Sequence, residues 1–275
     1  MLKPVDSVEK STVGYRNVEL HRRTPDDGVR LESMPIADEV AIEIHLNQQN
    51  VVVTMASPVD IEDLAVGFLV SEQYLERNAT VHAIEVFAKP AGIIVNVRAD
   101  PIAEQRIRDR AVPARASCGL CGVASLDDAI ASLPPVSPEP LPHAAAIHAA
   151  LGALREHQSL NAATRAVHGA AWCAMDGSII QMREDIGRHN ALDKLLGARV
   201  LASQPAPGFI LITSRVSYEL VQKAAAHGVA SMVAISAPTT LSVDIATALG
   251  MNLIAIARHD NHSVFVAGDM SNAHA

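Results

Sequence analysis

Two thiols stand three positions apart in the run Ser117-Cys118-Gly119-Leu120-Cys121-Gly122. Thiols at that spacing can exchange a disulfide, share a metal ion or hold a reactive sulfur atom. Gly119 and Gly122 leave the backbone permissive, so the run reads as a flexible loop. A nucleophilic thiol needs a lowered pKa and access to solvent, and Arg115, three residues before Cys118, would favour the thiolate. A structural zinc ion normally takes four ligands. No second cysteine pair exists, although the 12 histidines leave a Cys2His2 set open. A thioredoxin-like redox pair fits less well, because the cysteines do not sit at a strand-to-helix junction. Cys173 lies inside an apolar strand pattern and reads as a buried hydrophobe.

A second candidate is the run Arg183-Glu184-Asp185-Ile186-Gly187-Arg188-His189-Asn190-Ala191-Leu192-Asp193-Lys194. Gly187 punctuates it and a helical pattern begins near Arg188. The start of a helix has free N–H groups and a partial positive charge, so it suits an anion. Arg188 and His189 would add donors there. An ordinary charged helix start, with Glu184 and Asp185 serving the dipole, fits the same residues.

The elements around these groups can be traced by periodicity. Residues 1–35 carry mixed charge and few periodic signals. Val40 to Leu46 alternates apolar and polar, Asn47 to Asn50 is a polar turn, and Val51 to Met55 completes a hairpin. A helix runs from an N-cap at Asp60 to Gln73, with Ile61, Leu64, Ala65, Phe68 and Leu69 on one face. Val81 to Phe87 and Ile93 to Val97 form another strand pair. A short helix is expected over Leu126 to Ser132. Leu133 to Pro142 holds five of the 15 prolines and can be neither helix nor central strand; it is a stiff connector or an exposed loop. His143 to His157 is helical, and His143, His148 and His157 decorate that helix without special weight. Ala170 to Met175 and Ser178 to Met182 bracket the turn Asp176-Gly177. His168, just before that hairpin, reads as a structural histidine.

After a helix over Arg188 to Leu196, strands and helices alternate. The strands are Phe209 to Thr213, Met232 to Ser236 and Leu253 to Ala257; the helices are Val216 to His227 and Leu241 to Leu249. Short connections imply parallel, right-handed crossovers. In such a sheet Thr213-Ser214-Arg215, Ser236-Ala237-Pro238-Thr239 and Arg258-His259-Asp260 share one edge, where ligands usually bind. Two arginines and several hydroxyls on that edge point to a phosphate-bearing ligand, although loops entering helices favour polar caps in any case.

The chain has 275 residues, 49% hydrophobic and 19% charged, enough for one large or two modest globular domains. Aromatics are 3%, so the core must be aliphatic and a base-stacking surface for single-stranded nucleic acid is disfavoured. A net charge of -8 disfavours nucleic-acid polymers and anionic membranes as partners. No apolar run approaches the roughly 20 residues of a membrane helix, no secretory signal opens the chain, and three cysteines make no disulfide framework. The expectation is a cytoplasmic protein. Its fold class reads as α/β, with a smaller N-terminal α+β domain over 1–112 and a layered domain over 113–275 that holds the CxxC loop and the pocket.

These segments together resemble the formate dehydrogenase accessory sulfurtransferase family (FdhD/NarQ). The resemblance rests on Ser117 to Gly122, Arg183 to Lys194, Thr213-Ser214-Arg215-Val216-Ser217-Tyr218-Glu219-Leu220-Val221-Gln222-Lys223, Ile235 to Thr239 and the helix with Gly67-Phe68-Leu69. It covers the chain from about Glu39 onward. It implies a sulfurtransferase that accepts sulfur from a cysteine desulfurase as a persulfide on Cys118, with Cys121 its neighbour. The recipient would be the Mo-bis(molybdopterin guanine dinucleotide) cofactor of formate dehydrogenase. The resemblance further implies a cytidine-deaminase-like C-terminal domain, a homodimer, and a cofactor-binding stretch at Ile256, Ala257, Arg258, His259, Asp260 and Asn261. The expected contacts for the cofactor also include Arg188, His189, Ser214, Arg215 and Ser236, and no metal is expected to reside in the protein. Zinc deamination is disfavoured, because Ala170 stands two residues after His168, where that chemistry needs a Glu. The alternative in a different class is a chaperone that binds the cofactor and the dehydrogenase without chemistry.

Overall fold

The computed structural model describes residues 13–26, 28–100, 133–203 and 207–268. Cys118, Cys121, the helix expected over Leu126 to Ser132 and the division expected between residues 112 and 113 lie outside them. The described residues form a mixed α/β fold on three sheets.

Strands β1 (Tyr15–Arg23) and β2 (Val29–Ala37) pair as an antiparallel two-stranded ribbon. The sequence gives little sign of it, because most of its residues are exposed and neither side is apolar throughout. A four-stranded sheet follows, formed by β3 (Val40–Leu46), β4 (Gln49–Ala56), β5 (Val81–Lys89) and β6 (Gly92–Ala99) in the order β4-β3-β6-β5. The expected hairpin between β3 and β4 is present. Asn47 and Gln48 turn it at φ 49° and 70°, the two-residue geometry that follows the strand twist.

Helix α1 (Ile61–Ser71) packs on this sheet, and it differs from the sequence reading in two ways. Asp60 occupies the N-cap position, but its φ of 50° puts it in the left-handed region and its side chain caps nothing. The carboxylate stands instead 3.6 Å from the guanidinium Nε of Arg183. The apolar stripe is also not one-sided: Val66, Gly67 and Val70 are buried too. The second buried side faces α4 (Arg188–Leu201) at a close crossing. A Cβ on Gly67 would overlap the Asp193 carbonyl, and one on Gly197 the Asp63 carbonyl.

The third sheet has six strands: β7 (His168–Ala174), β8 (Ile179–Asp185), β9 (Gly208–Ile212), β10 (Ser231–Ala234), β11 (Asn252–Ala255) and β12 (Ser263–Val266). Their order is β12-β11-β10-β9-β7-β8. Strands β9, β10 and β11 are parallel, as the short crossovers require, while β7 runs antiparallel to both β8 and β9. Helices α4, α5 (Tyr218–Ala226) and α6 (Thr240–Leu249) cover one face, through Leu192, Leu195, Leu220, Ile245 and neighbours. Helix α2 (Ala144–Ala153) covers the other, with Ile147 and Leu151 against Phe209, Leu211 and Val233. This three-layered C-terminal half is α/β as expected, and its core is aliphatic as the low aromatic content demands.

The helix expected over His143 to His157 is shorter, ending in a 3-10 turn at Leu154–His157, and a further helix, α3 (Ser159–Thr164), follows. The first amides of α3, Leu160 and Asn161, donate to the Glu184 carboxylate at 2.8 and 2.9 Å. That acceptor lies more than twenty positions away, so no local signal announces the helix. The proline-rich stretch has no regular structure, but it is held down: Val136 is buried and its N–H donates to the Leu249 carbonyl at 2.9 Å. Among the described residues, no helix is long and apolar enough to cross a membrane.

Candidate functional site

The C-terminal ends of β9, β10 and β11 lie side by side, and the loops leaving them are stitched to one another. The Val216 N–H donates to the Ala237 carbonyl at 3.2 Å, Thr239 N–H to Val216 at 3.0 Å, and Ile256 N–H to Ser236 at 3.2 Å. Because β7 is antiparallel to β9, its first residue, His168, reaches the same edge. Gly169 N–H donates to the Thr213 hydroxyl at 2.9 Å, and β7 pairs His168 with Asp185 at the end of β8. The edge therefore gathers the expected residues 214, 215, 236 and 256–261, and the turn from β8 into α4 brings up Arg188 and His189.

Three helices begin on this edge, and they begin differently. Helix α6 is closed by its own residues: Thr239 and Ser242 form a reciprocal capping box. Helix α4 has Gly187 at its N-cap, which has no side chain to offer. Helix α5 has Ser217 there, but the hydroxyl does not cap the helix. Among the described residues, the buried side-chain atoms Arg188 Nε, His189 Nε2, Ser217 Oγ and Glu219 Oε2 find no hydrogen-bond partner. Buried polar atoms are nearly always satisfied, so these four on two adjoining helix starts call for partners from solvent or a ligand. Burial pushes His189 down to about 3, helped by the charges of Arg188 and Lys223, so its ring is neutral. His168 is also lowered, by burial and then by Arg188.

The remaining expected residues divide by what they already hold. Arg215 is exposed and makes no ion pair with a described residue. Ser214 is buried and its hydroxyl donates to the Arg215 carbonyl at 3.0 Å, fixing that turn. The Arg258 guanidinium donates to the strand-end carbonyls of Ile235 and Ala257, so part of its capacity is already spent on the protein. Ala257 is buried, while His259, Asp260 and Asn261 are exposed in a tight turn where Arg258 N–H donates to the Asn261 carbonyl at 2.7 Å. Strand β11 stops at Ala255, and Ile256 takes φ 54°. Positive φ is unusual for a β-branched residue and lets the chain turn out of the sheet towards Arg258.

Sequence reasoning missed the support beneath the turn. Asp185 and Lys194 are fully buried and form an ion pair of 2.7 Å. The Asp185 carboxylate also accepts the Gly187 and Ser57 N–H groups at 2.8 and 3.0 Å. Asp185 and Lys194 were visible as charged residues in the motif; their burial was not, and Ser57 lies far away in sequence. Ser217 and Glu219 were likewise quoted only as part of a motif. Cys173 is completely buried and its thiol is pushed up to about 12 by desolvation, as its apolar strand predicted. A separate cleft of about 390 Å³ lies beside α3, lined by Tyr15, Val59, Asp60, Leu160 and Met182 among others, and holds none of the expected site residues.

A profile of the FdhD/NarQ family matches residues 37–270. A sulfur carrier protein FdhD from Agrobacterium fabrum is 38% identical over 272 residues, covering 96% of this chain and 98% of that protein. The protein of the same name from Bordetella petrii is 38% identical over 242 residues, covering 86% of this chain and 87% of its own. Among solved structures, a crystal structure from Desulfotalea psychrophila, provisionally named a formate dehydrogenase accessory protein, superposes with a TM-score of 0.72. It is 24% identical, and the match covers 92% of this chain and 97% of that one.

Proposed function

Because this chain belongs to the FdhD/NarQ family, we propose that it is a sulfur carrier that takes sulfur from a cysteine desulfurase as a persulfide and delivers it to the Mo-bis(molybdopterin guanine dinucleotide) cofactor of a formate dehydrogenase. The relatives' name supports the carrier role. The observation that supports the cofactor half is the sheet edge itself, with the unpartnered Arg188 Nε, His189 Nε2 and Ser217 Oγ on the starts of α4 and α5 and Arg215 open beside them. Arginine forks, free helix amides and hydroxyls are the groups that hold pyrophosphate. In this reading the guanine dinucleotide phosphates meet Arg188, Ser214, Arg215 and Arg258.

In the first step the Cys118 thiolate attacks the terminal sulfur of the desulfurase persulfide. A new S–S bond forms on Cys118, the old one breaks, and the desulfurase cysteine leaves as a thiolate, with no net oxidation. Cys121, three residues on, is the neighbouring thiol of the same loop. Residues 113–275 then form the sulfur-handling unit and residues 1–112 the smaller one, in a cytoplasmic homodimer.

Two experiments test the two halves. A Cys118→Ala protein is expected to leave formate dehydrogenase inactive in cells lacking the native carrier; full activation would rule out sulfur transfer through this thiol. An Arg215→Ala, Arg258→Ala double variant is expected to lose most of its affinity for guanosine diphosphate, and undiminished binding would remove the pocket from the account.

A further inference from the structure

Resting on the nucleotide-binding reading above, we propose that Asp185 is a positioning residue, which sets the turn bearing Arg188 and His189 by clamping it to the end of β4. Asp185 is the last residue of β8, two before the Gly187 N-cap of α4. Its carboxylate is filled by four donors from four directions. Oδ1 accepts the Gly187 N–H at 2.8 Å and the Asn190 side-chain amide at 3.2 Å. Oδ2 accepts the Ser57 N–H at 3.0 Å and the Lys194 ammonium at 2.7 Å.

Ser57 closes the clamp from the other side. Its hydroxyl accepts the Ile186 N–H at 3.2 Å, and its carbonyl accepts the Lys194 ammonium at 2.9 Å. The Asn190 amide, besides meeting Asp185, donates to the Met55 carbonyl at 2.8 Å. Positions 185, 186, 187, 190 and 194 are thus all tied, directly or through Asp185, to residues 55–57. Arg188 and His189 lie between these anchors, and they carry the buried Nε and Nε2 atoms that lack partners among the described residues.

Such an arrangement is a poor device for stability alone. A buried ion pair gives up the hydration of both charges and often does no better than apolar packing of the same volume. A carboxylate with every lone pair engaged does fix geometry, because any rotation of the turn leaves a buried donor unmatched. Gly187 has no side chain to hold the turn, so its conformation depends on these bonds.

The test uses Asn190→Ala and Ser57→Ala, which trim the clamp without stranding a charge, and Ser71→Ala as a control. Ser71 belongs to a different buried network, where its hydroxyl donates to Asp193 at 2.7 Å. Amide hydrogen exchange over 186–190 and affinity for guanosine diphosphate are measured on the full chain. In Asn190→Ala the turn is expected to exchange about tenfold faster and the ligand to bind about tenfold more weakly, with Ser57→Ala moving the same way and Ser71→Ala leaving both unchanged. Exchange at 186–190 that stays as in the unmodified protein overturns the clamp. Faster exchange with undiminished affinity overturns its positioning role. Failure of the unmodified protein to bind guanosine diphosphate defeats the nucleotide reading instead, and the exchange measurement then decides the clamp by itself.

Discussion

His189 and His227 are both pushed down to about 3, first by burial, so both rings are neutral in the folded protein near neutral pH. An unfolded chain binds protons at both near pH 6.5. Folding stability supplied by the neutral rings is therefore complete above about pH 6.5 and is lost as pH falls towards 3. His227 Nε2 lies 3.2 Å from the Ser71 hydroxyl oxygen and 3.3 Å from the Gly67 carbonyl, both of which can accept its N–H, beside Lys223. A thermal melt followed from pH 7 to pH 5 is expected to show falling stability, steepening to about 1.4 kcal/mol per pH unit for each histidine by pH 5. In His227→Gln that slope should be shallower, and an unchanged slope would mean that this ring does not carry the effect. At this scale the sequence was informative about residue type only. Arg188, His189 and Arg215 could be singled out because guanidinium and imidazole groups beside a helix start are recognisable donors. His168 reads as a structural histidine, and nothing in its sequence neighbours reveals that Arg188 lies close to it.

Between elements, the contacts that matter are those no periodicity encodes. Helices α1 and α4 cross so closely that Gly67 and Gly197 face backbone carbonyls. Gly67→Ala should cost about 3 kcal/mol, the upper range for forcing extra atoms into a packed interface, and chemical denaturation would measure it. Wild-type stability in that variant would show that the helices can separate freely. Lys194→Met leaves the Asp185 carboxylate buried without its cation and should cost about 3–5 kcal/mol in the same measurement, much more than a typical surface change. The strands and helices were legible where the apolar pattern was one-faced, as in β3 and α5, or a short continuous run, as in β9, β10 and β11, which are buried on both faces. They were misread where a second partner intervened. Helix α1 is buried on two sides, α3 borrows its cap from Glu184, and Asp60 turns its side chain towards Arg183 rather than to its own helix.

At the scale of the molecule, one edge of a layered sheet collects the ends of three parallel strands, the start of β7 and the turn into α4. This convergence was legible in outline, since parallel strands joined by short crossovers must place their ends together. The ribbon of β1 and β2 was not, being exposed on both sides, and neither was the bracing of the edge by residues 55–57. The three thiols should differ in role. Cys173, sealed in the core with its thiol pushed up to about 12, is inert, so Cys173→Ala is expected to carry sulfur normally. The central claim is that Cys118 accepts a sulfur atom. Intact-mass and peptide measurements after incubation with a cysteine desulfurase and free cysteine address it directly. The account predicts a gain of about 32 mass units on the Cys118 peptide, removed by a thiol reductant. A Cys118 peptide that stays at its unmodified mass while the desulfurase itself is fully persulfidated would contradict it, and would favour a chaperone that binds the cofactor without handling sulfur.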